Sequence, residues 1–267
     1  MHGPYPIFCR GHSGGRLVCE AFIHNQIAMG QVAPDRKDTE FFAIQNPLMY
    51  ELILNAYTYL NLPSQQKAHN QALMRRCVEQ FIHQEIPDPH HPFGWKLGIS
   101  LFTMPLVLDT FPHAKVVHLI RDGRDVMLSR LEARFAHMHD PVNRLVVFGD
   151  ATVDTFEGHA LTPDVVAANR NALEMQHWVT AVRYGLQGRA YPDRYLEVKY
   201  EAICQNPLTE FQHIFDFLEL PFLDKAKIWL KEAVYHSRIG KWQELPAEQL
   251  EKPLAIGESM LKELGYW

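Results

Sequence analysis

The stretch Arg10-Gly11-His12-Ser13-Gly14-Gly15-Arg16-Leu17 follows the apolar run YPIF and combines three glycines, a hydroxyl and three side chains able to carry positive charge. A strand, a glycine-rich turn and a helix in that order aim several backbone N–H groups at one point, where the helix dipole adds positive potential. Such a loop takes an anion, a phosphate or a sulfate group, and Ser13 and Arg16 can add a hydroxyl and a planar fork of donors. The pattern differs from the phosphate loop GxxxxGK[ST], because Arg16 and Leu17 follow Gly15 and the hydroxyl that holds magnesium is missing. A nucleotide whose reaction needs no bound metal fits better.

A second pattern, VVHLIRDGRDVMLSR, puts Arg121 at the end of a strand and Ser129 about two helical turns further on, at roughly 1.5 Å per residue. A guanidinium and a hydroxyl can converge on one phosphate lying beside that helix. The blander alternative has Arg121 and Arg124 pairing with Asp122 and Asp125 on a solvated turn, an arrangement that adds little stability when exposed.

The elements that must position these residues alternate between strand and helix. YPIFCR (5–10), KVVHLI (115–120) and RYLEVKY (194–200) read as strands, and FGWKLG (93–98) is a short strand candidate. Helical spacing follows Gly15, with Leu17, Val18, Ala21 and Phe22 on one face. It recurs over 46–60, where Asn46 caps and Pro47 opens the helix, and over 64–86, 101–111, 163–186 and 207–220. Asp122 is the expected cap of a helix running from 123 past Ser129. The segment VVFGDATVDTFEGHALTP (146–163) has no clear period and is expected as a mobile lid or a plain connection. Strand and helix in alternation imply an α/β three-layer sandwich, a mainly parallel sheet with helices on both faces and ligands at the carboxyl ends of the strands. Both loops fall at such ends.

The chain has 267 residues, 47% of them hydrophobic, and a formal charge of -5, so it can bury a sizeable core, and a single domain over 1–267 is expected. The acidic balance argues against a nucleic-acid partner. Cys9, Cys19, Cys77 and Cys204 form no CxxC and are expected as buried thiols, not a disulfide scaffold or a zinc ribbon. No run approaches the roughly 20 apolar residues of a membrane span, and the N-terminus lacks signal-peptide character, so a cytoplasmic protein is expected. Fifteen histidines are present, but His90-His91 and the HMH at 137–139 form no HExxH, and no metal site is expected.

With these residues in view, the chain resembles the sulfotransferase family that uses 3'-phosphoadenosine 5'-phosphosulfate (PAPS). The family's phosphosulfate loop, similar to PxSGTT, has its counterpart in GHSGGR, with His12 at the basic position and Ser13 and Gly14 matching directly. Its 3'-phosphate signature, an arginine and a serine eight apart after a strand, matches Arg121 and Ser129. VKYEAICQNP is similar to the family's YEDLxxNP, which places Tyr200 near the adenine, and SRIGKW resembles its basic GxW segment, which implicates Arg238, Gly240 and Lys241 at the 3'-phosphate. Lys96 falls where the family carries a lysine that contacts the transferring group, although a lysine snorkelling from a strand end reads the same way.

The resemblance implies in-line transfer of a sulfuryl group from PAPS to an acceptor hydroxyl or amine, with adenosine 3',5'-bisphosphate as product and a small molecule or carbohydrate as acceptor. The sequence also departs from the family. Gly15 and Arg16 replace two threonines, His12 replaces a permanent cation with a group that titrates near neutrality, and Gly98 stands where the small-molecule branch has its histidine base. Branches acting on carbohydrates or peptides use a carboxylate in the region of Asp35, Asp38 and Glu40. The catalytic set implied is therefore His12, Lys96 and Asp38 or Glu40. Two alternatives stay open, a metal-dependent P-loop kinase using Asp122 and a non-catalytic nucleotide-binding protein.

Overall fold

A computed structural model describes residues 3–43, 45–88, 90–128, 138–233 and 239–267. The chain forms two compact units, one from Met1–Ile120 with Gly185–His236 and the other from Arg121–Tyr184 with Ser237–Trp267.

The first unit holds three parallel strands, Ile7–Cys9, Val116–Ile120 and Tyr195–Lys199, with Val116–Ile120 in the middle. Their register sets Ile7 opposite Val117 and Leu119 opposite Val198. Because side chains alternate along a strand, Ile7, Cys9, Val117, Leu119 and Val198 share one face. That face packs against Val18 and Phe22 of the helix Gly15–His24 and against Phe211 and Phe215 of the helix Pro207–Phe217. The opposite face carries Phe8, His118 and Tyr195. There Phe8 meets Trp95 edge-on, and Gly185 and Gly188 bring their backbones directly against the rings of His118 and Tyr195. Helices thus cover a parallel sheet from both sides, the α/β arrangement the alternating pattern predicts.

Several elements differ from the sequence expectation. FGWKLG is extended but forms no full strand, making isolated parallel bridges from Lys96 to Ile7 at the sheet edge and from Phe93 to Ala28. The 101–111 helix begins as a 3-10 turn, Gly98–Thr103, and becomes α-helical only over Met104–Thr110, where Pro105 sits in the first turn and needs no N–H donor. The 46–60 helix is Pro47–Ala56, with the Asn46 side chain accepting from the Leu48 N–H as a cap should.

The expected 163–186 helix is broken into Pro163–Ala168 and Arg170–Gly185, with Asn169 between them at φ -112° and ψ 21° and its side-chain amide also donating to the Val165 carbonyl at 2.9 Å. The 146–163 segment is not a plain connecting loop. Thr155–Phe156 and His159–Ala160 pair as an antiparallel hairpin, whose turn residues Glu157 and Gly158 both take positive φ, the geometry that matches strand twist. Lys252 of the helix Ala247–Glu263 pins that hairpin at 2.7 Å from Glu157 and holds Asn169 at 2.8 Å. Asp122 caps the short helix Gly123–Val126. The expected continuation of that helix through Ser129 lies outside the described residues. Among the described residues no helix is long and apolar enough to cross a membrane.

Candidate functional site

The first unit assembles the glycine-rich loop, Lys96, Asp38 and Tyr200. The chain leaves the first strand at Cys9 and turns at once. Arg10, 2% exposed, donates from Nη1 to the Gly11 carbonyl at 2.8 Å and braces the turn. His12 is exposed and takes a φ of 69°, in the left-handed region. Ser13 is buried and its N–H donates to the Arg10 carbonyl at 3.1 Å, while the Leu17 N–H donates to the Gly14 carbonyl at 2.9 Å. Those two amides serve the turn itself and leave the set offered to a ligand. Arg16 lies on the surface, 3.3 Å from the Asp35 carbonyl.

Two glycines show why this loop is built as it is. At Gly14 φ is 91° and an added Cβ would stand 2.2 Å from the Tyr200 ring, so Tyr200 packs directly against the loop. At Gly15 a Cβ would meet Cys9 Sγ at 2.6 Å and Lys96 Cε at 2.7 Å. The lysine stem therefore fills the space where the family pattern has a threonine, and the substitution exchanges a hydroxyl for room beside an ammonium. Cys9 takes no part as a nucleophile, since burial pushes its thiol up to about 11.

Lys96 Nζ stands 2.7 Å from Asp38 Oδ1 and 2.9 Å from the Arg36 carbonyl. The Lys96 backbone is clamped by Thr39, whose Oγ1 accepts the Lys96 N–H at 3.0 Å while the Thr39 N–H donates to the Lys96 carbonyl at 2.8 Å. Of the three candidate carboxylates only Asp38 reaches the lysine. Glu40 accepts from Gln31 Nε2 at 2.9 Å, and Asp35 lies 3.6 Å from Arg36 Nε on the surface. At Gly98, where the family's small-molecule branch has a histidine, a Cβ would stand 3.3 Å from the Gly11 N, a tight approach to the loop backbone.

The second unit assembles Arg121, Asp122, Arg124, Asp125 and the turn Gly240–Trp242. Arg121, 8% exposed, faces Asp125 with 3.6 Å between Nη2 and Oδ2, and its carbonyl accepts from Trp178 Nε1 at 3.0 Å. Asp125 accepts the N–H groups of Gly240 at 2.8 Å and Trp242 at 3.2 Å. Arg124 chelates the Asp122 carboxylate, with 2.7 Å from Nη2 to Oδ2, and its guanidinium lies 3.9 Å from the centre of the Trp242 ring. Arg121, Gly240 and Lys241 are thus brought into one neighbourhood by Asp125, which the sequence named only as an ion-pair partner on a solvated turn; the Arg121–Asp125 and Arg124–Asp122 pairs form, but largely buried. Lys241 is exposed. Ser129 and Arg238 lie outside the described residues. Among the described residues no group of three or more His, Cys, Asp or Glu side chains could hold a metal ion.

Comparison with known proteins bears on the family and the fold. A family model described as "Sulfotransferase family" matches residues 35–224, well over half of the chain. Over 171 residues, 58% of this chain and 20% of the relative, the chain is 26% identical to an uncharacterised protein of Aquifex aeolicus. It is 25% identical to mouse carbohydrate sulfotransferase 3 over 156 residues, 57% of this chain and 31% of that protein. The chain thus spans less than a third of the length of these relatives. Among solved structures it is similar to the sulfotransferase domain of the Synechococcus PCC 7002 olefin synthase, at a TM-score of 0.54 and 17% identity, covering 97% of this chain and 96% of that one. The sulfotransferase domain of the curacin biosynthetic pathway gives a TM-score of 0.53 at 15% identity, with 97% and 98% covered. Fold, sheet-end loops and family match converge, and the chain belongs to the sulfotransferase family.

Proposed function

We propose that the chain transfers the sulfuryl group of PAPS to an acceptor hydroxyl by in-line displacement and releases adenosine 3',5'-bisphosphate. The observation that supports it most is the Lys96 ammonium, 2.7 Å from Asp38 and stacked by its stem against the N-terminus of the Gly15–His24 helix. PAPS supplies an activated sulfuryl group. As the acceptor oxygen bonds to sulfur, the bond from sulfur to the 5'-phosphate oxygen breaks, and charge grows on that leaving oxygen. Lys96, His12, Arg16 and the loop amides of Gly14 and Gly15 stabilise that charge, and Asp38 takes the acceptor proton. In the second unit Arg121, Gly240 and Lys241 take the 3'-phosphate, joined by Ser129 and Arg238, and Tyr200 takes the adenine side. Both units then serve one sulfotransferase-like domain over residues 1–267, which we place in the cytoplasm with its four buried thiols reduced.

A carbohydrate is the acceptor class we favour over other small molecules. It is supported by the name of the mouse relative and by Asp38, not a histidine at position 98, standing beside Lys96. The magnesium-dependent kinase alternative loses its metal-holding group, since Arg124 donates to both oxygens of Asp122. Turnover of labelled PAPS against a panel of carbohydrate and small hydroxyl acceptors tests the proposal. We expect sulfated product, lowered about two to three powers of ten by Lys96→Ala or Asp38→Asn. PAPS binding without product from any acceptor would favour the non-catalytic alternative, and ATP binding that requires magnesium would revive the kinase.

A further inference from the structure

Asp125 poses an electrostatic problem. A buried carboxylate, 4% exposed, stands 3.6 Å from the guanidinium proposed to take a phosphate. Coulomb's law alone makes it a liability there, because it repels an incoming dianion and competes with that dianion for Arg121. Its other contacts resolve the problem. Both carboxylate oxygens accept backbone N–H groups, Oδ2 from Gly240 at 2.8 Å and Oδ1 from Trp242 at 3.2 Å. Those two amides flank Lys241. Gly240 takes a φ of 78°, the left-handed region that glycine adopts without strain, so the turn requires a glycine at this position. The neighbouring residue reinforces the hold, since Arg124 lies over the Trp242 ring and its Nη2 also donates to the Tyr266 carbonyl at 2.5 Å.

We propose that Asp125 is a positioning residue for the 3'-phosphate subsite, a carboxylate staple that fixes the Gly240–Trp242 turn and so presents Lys241 next to Arg121. The inference rests on the proposed role of Arg121 and Lys241 in taking the 3'-phosphate. Asp125 acts through the turn and does not touch the ligand. A carboxylate beside an anion site is tolerated because its charge is spent on two amide donors and an arginine.

The two roles a carboxylate could play here predict opposite signs. If Asp125 only neutralises Arg121, Asp125→Asn removes a repulsive charge and tightens an anion. If it is a staple, the variant loses an amide acceptor, loosens the turn and weakens the 3'-phosphate. The full chain is titrated by calorimetry with adenosine 3',5'-bisphosphate and with adenosine 5'-phosphate, which lacks the 3'-phosphate. We expect Asp125→Asn to weaken the bisphosphate about tenfold to a hundredfold, the size of a lost charge-assisted hydrogen bond, and to leave the monophosphate within about twofold. In a Lys241→Ala background the effect of Asp125→Asn should largely vanish, since the staple has nothing left to present. Tighter or unchanged bisphosphate binding in Asp125→Asn, equal losses for both nucleotides, or full additivity with Lys241→Ala would each overturn the inference. Where Asp125→Asn does not fold by circular dichroism, Asp125→Glu, which keeps the charge but moves the carboxylate one methylene from the two amides, replaces it in the same cycle with the same expected pattern. A wild-type protein that binds both nucleotides equally would instead sink the proposed function itself.

Discussion

At the scale of single residues, the site is decided by places where a side chain is absent. Gly14 combines a φ of 91° with the Tyr200 ring lying where a Cβ would project, so Gly14→Ala meets two penalties at once. The left-handed backbone costs roughly 1–2 kcal/mol for any L side chain, and relief of the clash requires the ring to leave the loop. We expect a lower Tm and weaker bisphosphate binding by calorimetry. Gly14→Ala with Tyr200→Leu should recover part of the loss, because only the clash is relieved. Equal Tm values for Gly14→Ala and wild type would show that Tyr200 does not set the loop. At Gly98 the 3.3 Å approach to the Gly11 N makes a second case. Gly98→His restores the family histidine on paper, yet it should lower turnover and nucleotide affinity together by displacing the loop. A gain in turnover would contradict the steric account.

Elements show which parts of this molecule are legible in sequence. The three parallel strands and the turns at their ends were readable because buried strands are apolar runs and because glycine marks the tight reversal that follows a strand. The Asn46 cap was readable for the same local reason. What escaped is non-local or marginal. Thr39 clamps Lys96 across 57 positions of sequence, and Asp125 meets Gly240 across 115, and no period within one segment carries such pairs. The break at Asn169 is a single residue leaving helical φ and ψ, which helix spacing cannot register. The hairpin at 155–160 has strands of two residues, too short to alternate visibly, although its Glu-Gly turn is the kind of dipeptide that signals one. Asp38 was one of three acidic candidates in sequence, and only the Lys96 contact separates it from Glu40 and Asp35. Lys252 ties the hairpin and Asn169 to the Ala247–Glu263 helix from an exposed position. Lys252→Ala should therefore cost at most about 1 kcal/mol in urea unfolding. A larger loss would mean the hairpin carries more of the unit's stability than its exposure suggests.

For the whole molecule, the middle strand of the sheet sets the response to acid. His118 lies fully buried in that strand, with Nδ1 2.6 Å from Tyr195 Oη, and burial pushes its imidazole down to about 4. Burial also pushes the Tyr195 phenol up, so its hydroxyl keeps its proton and stays hydrogen-bonded to Glu197 and to His118 Nδ1. The ring is thus held neutral in the folded chain. Above the ordinary histidine range both folded and unfolded states carry it neutral, and its contribution to stability is complete. As the pH falls below about 6.5 the unfolded chain binds a proton that the folded chain refuses until about pH 4, so stability is lost across that window. By about pH 5 the loss from this one group should be about 2 kcal/mol relative to neutrality. His118→Gln keeps a hydrogen-bonding side chain without the titration. Its stability at neutral pH should be lower, but the slope between about pH 6.5 and pH 4.5 should be shallower than in wild type by that amount. Urea unfolding followed by tryptophan fluorescence across the range measures both, and parallel slopes for the two proteins would show that the sheet's acid sensitivity originates elsewhere.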